Sequence, residues 1–187
     1  MADETVERLQ NMLREKWGSR SGVKVERYVG KFWGRERREG KITAVVEGNH
    51  GNYTVSIEAH EQGAVTSACS CYIGKHGYCH HCAALALTFL AEPDSFVAIK
   101  KVEKTAVSDL DTLRAYLDGI TLDELIKQMR AKGITQKAFC EAVRMSTRHL
   151  TAVKSAESRN HRYHELGAIK LAVLWMLENF ETHAGKN

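Results

Sequence analysis

Ala68-Cys69-Ser70-Cys71, then seven residues, then Cys79-His80-His81-Cys82 leading into Ala83-Ala84-Leu85-Ala86-Leu87, decides how the N-terminal half of this chain is built. Four of the five cysteines fall within these 14 residues, with His76, His80 and His81 among them. Widely spaced cysteine pairs would suggest a secreted disulfide framework, but the N-terminus, MADETVERLQ, is charged where an export signal would be apolar. A tight Cys/His cluster points instead to a metal. Soft thiolates and an imidazole in a closed set of four suit structural zinc. Cys69-x-Cys71 near a strand end aims two sulfurs at one point, and Cys79-x-His81 at a helix start closes the tetrahedron. One structural Zn²⁺ on Cys69, Cys71, Cys79 and His81 is therefore expected. Three thiolates, an imidazole and a divalent ion sum to about −1, which a partly buried site tolerates. Cys82 reads as a small buried apolar side chain, His76 and His80 as exposed, and His50 and His60 as surface residues.

Upstream of the cluster, Glu4 to Lys16 has Val6, Leu9, Met12 and Leu13 at helical spacing, and Arg20 to Gly22 breaks the pattern. Alternating segments follow: Val23-Lys24-Val25, Tyr28 to Trp33, Lys41 to Glu47, Tyr53 to Glu58 and Val65 to Ala68. Gly40 and Gly48-Asn49-His50-Gly51-Asn52 bound them, as a small antiparallel meander requires. From Cys79 the period changes to an almost wholly apolar helix that Glu92-Pro93 ends.

The stretch from Ala91 to Ser108 holds the single proline and little periodicity, so the division is placed at 1–92, a linker at 93–107, and 108–187. Beyond it the chain reads as helices: Asp109 to Tyr116, Leu122 to Ala131, Gln136 to Val143, Thr147 to about Ala156, and about Tyr163 to Glu181. Thr121 with Glu124 forms a capping box, and Gly133 closes that helix. The fold class is an α+β zinc-bound domain, a short antiparallel sheet plus helix, followed by an all-α domain.

The cluster and its surroundings, from about Lys41 to Leu90, resemble the SWIM-type zinc finger, whose pattern is Cys-x-Cys, a variable gap, then Cys-x-His. The strand Tyr53-Thr-Val-Ser-Ile, the Ala68-Cys-Ser-Cys turn and Tyr78-Cys-His-His before an apolar helix carry the likeness. Cys82 departs from it, standing where an apolar residue is usual. Leu122 to Ala156 resembles the lambda-repressor-like (Cro/repressor) helix-turn-helix. Its residues are Leu122-Asp-Glu-Leu-Ile-Lys-Gln-Met-Arg, Lys132-Gly-Ile-Thr-Gln, Lys137-Ala-Phe-Cys-Glu-Ala-Val, a turn at Arg144-Met145, and Ser146-Thr-Arg-His-Leu-Thr-Ala-Val-Lys. Phe139, Cys140, Val143, Met145, Leu150 and Val153 would supply its apolar contacts, with Cys140 small enough for close approach. Arg144 departs from the family, standing where the turn usually carries glycine.

The helix-turn-helix resemblance implies binding of double-stranded DNA, with Ser146 to Lys154 as recognition helix and transcriptional regulation as the expected role. Thr147, Arg148 and Thr151 would face bases, and Arg148 would pair with guanine. Gln136 at a helix amide end, with Arg144, Lys154, Arg159 and Arg162, would hold phosphates. The basic run Arg27 to Lys41, with Arg35, Arg37 and Arg38, could extend that footprint. The net charge of +4 is mild, however, and from Thr135 to Asn187 there are eight basic and five acidic residues.

The last helix carries apolar residues on more than one face (Leu166, Ile169, Leu171, Val173, Leu174, Trp175, Met176, Leu177, Phe180), which fits a central core helix or a homodimer. No acidic residue lies between Glu61 and Glu92 to serve a catalytic zinc, so no enzymatic activity is expected. The competing expectation is a non-enzymatic adaptor of a recombination, repair or mobile-element complex that docks proteins. No apolar run approaches the ~20 residues of a membrane helix, and the expected location is cytoplasmic, nucleoid-associated if DNA is bound.

Overall fold

The computed structural model describes residues 2–19, 22–60, 63–76, 79–161 and 164–179. The helix break at Arg20, Tyr78 of the cluster motif, Arg162, and the helix ends at Tyr163, Phe180 and Glu181 lie outside the described residues, as does the side chain of His76. The chain divides into two compact units, 1–100 and 101–187.

The first unit is α+β. Helix α1 (Ala2–Trp17) turns Leu9, Leu13 and Trp17 fully into the core, each worth about 1.5–3 kcal/mol of apolar burial. Strands β1 (Trp33–Arg38), β2 (Lys41–Gly48), β3 (Gly51–Ala59), β4 (Val65–Cys69) and β5 (Val97–Ala98) form one sheet in the order β4-β3-β2-β1-β5. Ile42, Ala44 and Val46 of β2 alternate inward and pair with Ile57, Val55 and Tyr53 of β3, the period of two that their spacing predicts. Helix α3 (His80–Ala91) packs between α1 and β3 and buries eight of its twelve residues, which is why its sequence is apolar all round.

Three expectations need correction. Val23-Lys24-Val25 is not a strand but part of helix α2 (Val23–Glu26), a single turn closed by Val25 N–H and Glu26 N–H on the Gly22 carbonyl. Two valines flanking a lysine fit one helical turn as well as a strand. Tyr28 to Trp33 is likewise turn and loop up to Trp33; Tyr28 and Phe32 pack into the core from there, and the first strand is the basic run itself. Finally, the sheet is mixed. Residues 93–98, read as the start of a linker, contain a 3-10 turn (Pro93–Ser95) and strand β5, which runs parallel to β1 through Glu36–Val97 and Arg37–Ala98. Two residues carry no legible period, and only the neighbouring strand makes them one.

The second unit is helical: α4 (Leu110–Asp118), α5 (Leu122–Ala131), α6 (Gln136–Ala142), α7 (Thr147–Glu157) and α8 (Leu166–Asn179). Asp109, Thr121, Thr135 and Ser146 each cap the following helix by accepting a backbone N–H, and the first two form full capping boxes. Helices α5, α6 and α7 end alike. Gly133, Arg144 and Asn160 take left-handed φ of 78°, 54° and 59°. The next residue's N–H then returns to the carbonyl five residues back: Ile134 to Met129, Met145 to Cys140, His161 to Ala156. This is the Schellman closure.

Leu122, Leu125, Ile126, Met129, Phe139, Cys140, Leu150, Val153, Ile169 and Val173 form the core of this unit. Val143, expected among the packing residues, is instead exposed, and Met145 is half-buried. Helix α8 buries one face through Ile169, Val173 and Met176 but leaves Leu171 43% and Trp175 59% exposed. Among the described residues no helix is long and apolar enough to cross a membrane.

Candidate metal centre

Cys69 closes β4 opposite Val55 of β3, on the inner face of the sheet. The ladder continues one residue further, where Ser70 N–H donates to Thr54 O (3.0 Å) and Thr54 N–H to Ser70 Oγ (3.0 Å). That pairing fixes the bend carrying Cys71. Gly74, in the 3-10 turn Ile73–His76, donates its N–H to Cys71 Sγ at 3.1 Å. A Cβ on Gly74 would stand 2.3 Å from Cys69 O and 2.6 Å from Cys69 Cβ, so the turn closes over the sulfurs only with glycine there. From the other side, Cys79 is the extended N-cap of α3, and His81 sits in its first turn.

The result is a compact donor set. The ligand atoms of Cys69, Cys71, Cys79 and His81 all lie within 4.8 Å of one another, and all four residues are buried. His81 Nδ1 is 3.7 Å from both Cys69 Sγ and Cys79 Sγ. A tetrahedral zinc with bonds of about 2.3 Å to sulfur and about 2.0 Å to nitrogen has sulfur–nitrogen edges of roughly 3.5 Å, so the set fits. The imidazole fits as well. Nδ1 faces the sulfurs, while Nε2 is buried beside the rings of Tyr28 (4.6 Å, edge-on) and Tyr53 (5.1 Å), with no hydrogen-bond partner among the described residues. A ring ligating through Nδ1 carries its proton on Nε2.

The protonation pattern has the same origin. Hydrogen bonds from Cys69 and then Cys82 hold the Cys79 thiol far below the ordinary range, against the effect of burial. Cys69 and Cys82 are pushed up, each first by the hydrogen bond to Cys79 and then by burial. Burial and then the charge of Cys79 raise Cys71. Three sulfurs this close cannot all ionise without a cation between them. The cluster could hold one metal ion, and its donor chemistry suits zinc. Filled by four protein donors, such a site ties the end of β4 to the start of α3 and leaves no open position.

Of two residues beside the set, one differs from expectation and the other meets it. His80 is half-buried rather than exposed, its ring stacked on Tyr28 at 5.4 Å. Burial and then the neighbouring His81 lower its pKa. Cys82 is fully buried, as a small apolar residue would be, yet its sulfur is 3.7 Å from Cys79 Sγ. Sequence reasoning missed Gly74, whose signal was a lone glycine in the seven-residue gap. It also missed the aromatic seat of His81, to which Tyr28 comes from a distant segment.

The residues expected to meet DNA fall into separate groups. Thr147, Arg148 and Thr151 are exposed on α7, beyond the Ser146 cap that accepts from His149 N–H (3.1 Å); Thr151 Oγ donates to Thr147 O. Arg144 is exposed in the turn just before them, and Gln136 is half-buried at the first position of α6. Lys154 instead turns back to Asp123 of α5 at 3.0 Å, and Arg159 Nε donates to Ser155 O.

The three β1 arginines do not share a surface. Arg37 pairs with Ile42 on the inner face, whereas Arg38 pairs with Lys41 on the outer face and approaches Glu36 at 3.6 Å. Arg35 follows an extra residue in β1, and its guanidinium is spent inside the unit on Phe32 O, Gly30 O, Glu92 and Ser95 Oγ.

Comparison with known proteins adds no relative: no family model matches the chain, and no curated protein or solved structure matches it.

Proposed function

We propose that this protein binds double-stranded DNA through α6 and α7, with one structural zinc in the N-terminal unit, and acts as a transcriptional regulator. The observation that carries the reading is the two-sidedness of α7. Leu150 and Val153 anchor one face in the core, while Thr147, Arg148 and Thr151 are exposed toward the N-terminal end of the other. A recognition helix needs this division, because bases are read by side chains held on a rigid support. The left-handed turn at Arg144 supports the likeness to repressor-type helix-turn-helix domains, and the Cys-x-Cys, Cys-x-His cluster supports the likeness to a SWIM-type finger.

Fluorescence polarisation of zinc-loaded protein with a random duplex pool at two salt concentrations tests this. The expected result is binding that weakens steeply with salt and loses about 1–3 kcal/mol in Arg148→Ala at its preferred site. Absence of duplex binding at either salt would refute it.

A second reading, a protein-docking adaptor, draws on Leu171 and Trp175 of α8. Apolar docking would be nearly insensitive to salt, which separates the two.

A further inference from the structure

Cys79-His80-His81-Cys82 is also a Cys-x-x-Cys pair at a helix start, with the first cysteine at the N-cap of α3 and the second one turn in. The turn is closed by Cys82 N–H on Cys79 O (3.1 Å), and the two sulfurs touch at 3.7 Å. Cys82 is the one thiol of the cluster that stands outside the four-donor set. Rotation about the Cα–Cβ bonds, with no change in the pairing of β4, is the movement that would bring these sulfurs to bonding distance.

We propose that Cys79 and Cys82 form a reversible dithiol–disulfide site whose oxidation removes Cys79 from the metal-binding set. The pair is suited to this because one sulfur belongs to the set and the other is uncommitted, so the second can resolve an oxidised form of the first. Both are buried, Cys79 at 3% exposure and Cys82 at 0%. That favours a small oxidant over a bulky protein disulfide, and the oxidant is a peroxide. The Cys79 thiolate sulfur gives an electron pair to one peroxide oxygen, the O–O bond breaks, and hydroxide leaves to take a proton from solvent as water. Cys79 is then a sulfenic acid. The Cys82 sulfur attacks it, the S–O bond breaks, and the departing hydroxide takes the Cys82 thiol proton as a second water. Two electrons pass from the sulfur pair to the peroxide, and one S–S bond forms. Three donors remain, too few to close a structural zinc site.

The test is peroxide treatment of the full-length, zinc-loaded protein, with zinc release followed by a chromogenic chelator and disulfides mapped by peptide mass. The expected result is a Cys79–Cys82 link, one zinc released per disulfide, and recovery on adding a dithiol reductant with zinc. Cys82→Ser should slow release about tenfold, since no adjacent thiol then captures the sulfenic acid. A disulfide mapped instead to Cys69 and Cys71 or to Cys69 and Cys79 would overturn the proposal, as would wild-type release kinetics in Cys82→Ser. The wild-type disulfide map decides the matter even if that variant fails to fold. None of these readouts involves DNA, so they stand or fall apart from the regulator reading.

Discussion

Lys170 of α8 places its ammonium 2.7 Å from the carboxylate of Glu157 at the end of α7, with side-chain exposures of 5% and 17%. The same ammonium donates to Leu117 O (2.7 Å), and the same carboxylate accepts Leu122 N–H (2.8 Å). One buried ion pair thus joins the ends of α4 and α7, the start of α5 and the middle of α8.

Breaking that pair from one side leaves an uncompensated charge in the core. Lys170→Met should therefore destabilise the helical unit by about 3–5 kcal/mol in urea unfolding. Glu157→Gln keeps an acceptor for Leu122 N–H but strands the ammonium. The double variant should be more stable than the sum of the single losses implies, by about 1–3 kcal/mol of coupling. Strict additivity would mean that the pair is only a contact, not a mutual neutralisation.

At the turn between α6 and α7, Arg144 carries a Cβ in the left-handed region, with φ of 54°. A non-glycine residue there costs about 1–2 kcal/mol, less the entropy that glycine loses on folding. Arg144→Gly should accordingly stabilise the protein by about 0.5–1 kcal/mol by thermal or chemical melting, while Arg144→Val should destabilise it. Loss of stability in Arg144→Gly would show that the guanidinium contributes more than the backbone costs.

Removing metal should act on the N-terminal unit alone. A chelator should lower the melting transition of that unit and leave the helical transition in place. Binding needs thiolates and a neutral imidazole. Because the hydrogen bond to Cys79 and then burial raise the Cys69 thiol, and burial and then the charge of Cys79 raise the Cys71 thiol, loading expels protons and zinc affinity rises with pH over the neutral range. Gly74→Ala should weaken zinc binding about 10–100-fold by pushing the turn off Cys69 and withdrawing the N–H from Cys71. A competition titration checks both, and wild-type affinity in Gly74→Ala would contradict the geometry.

Arg35 joins β1 to the end of α3 through Glu92 at 2.6 Å and Ser95 Oγ at 2.7 Å, with the guanidinium largely buried. Arg35→Met should cost about 1.5–3 kcal/mol, as expected for hydrogen bonds involving a charged group. Arg35→Lys should not restore it, since a single ammonium cannot serve acceptors spread around a planar fork. Full rescue by lysine would indicate that charge alone matters.

Much of this molecule was legible along the chain because the deciding interactions span few residues. The Cys69–Cys71 and Cys79–His81 pairs announce a shared point in space through their own spacing. Caps such as Thr121 with Glu124 bond within one turn, and the alternation of Ile42, Ala44 and Val46 needs only the pleat to give a buried face. Tertiary structure alone decided the rest. Val97–Ala98 became a strand only because β1 lay beside it, and Arg35 turned inward because an extra residue in β1 aimed it at Glu92. Tyr28 reached His81 across the gap between two elements, and Leu171 and Trp175 stayed exposed because the core of the helical unit closed over the other side of α8. Periodicity and capping are local and written residue by residue. Pairing partners and the exposed side of an apolar helix depend on which distant segments arrive, and no local pattern records that.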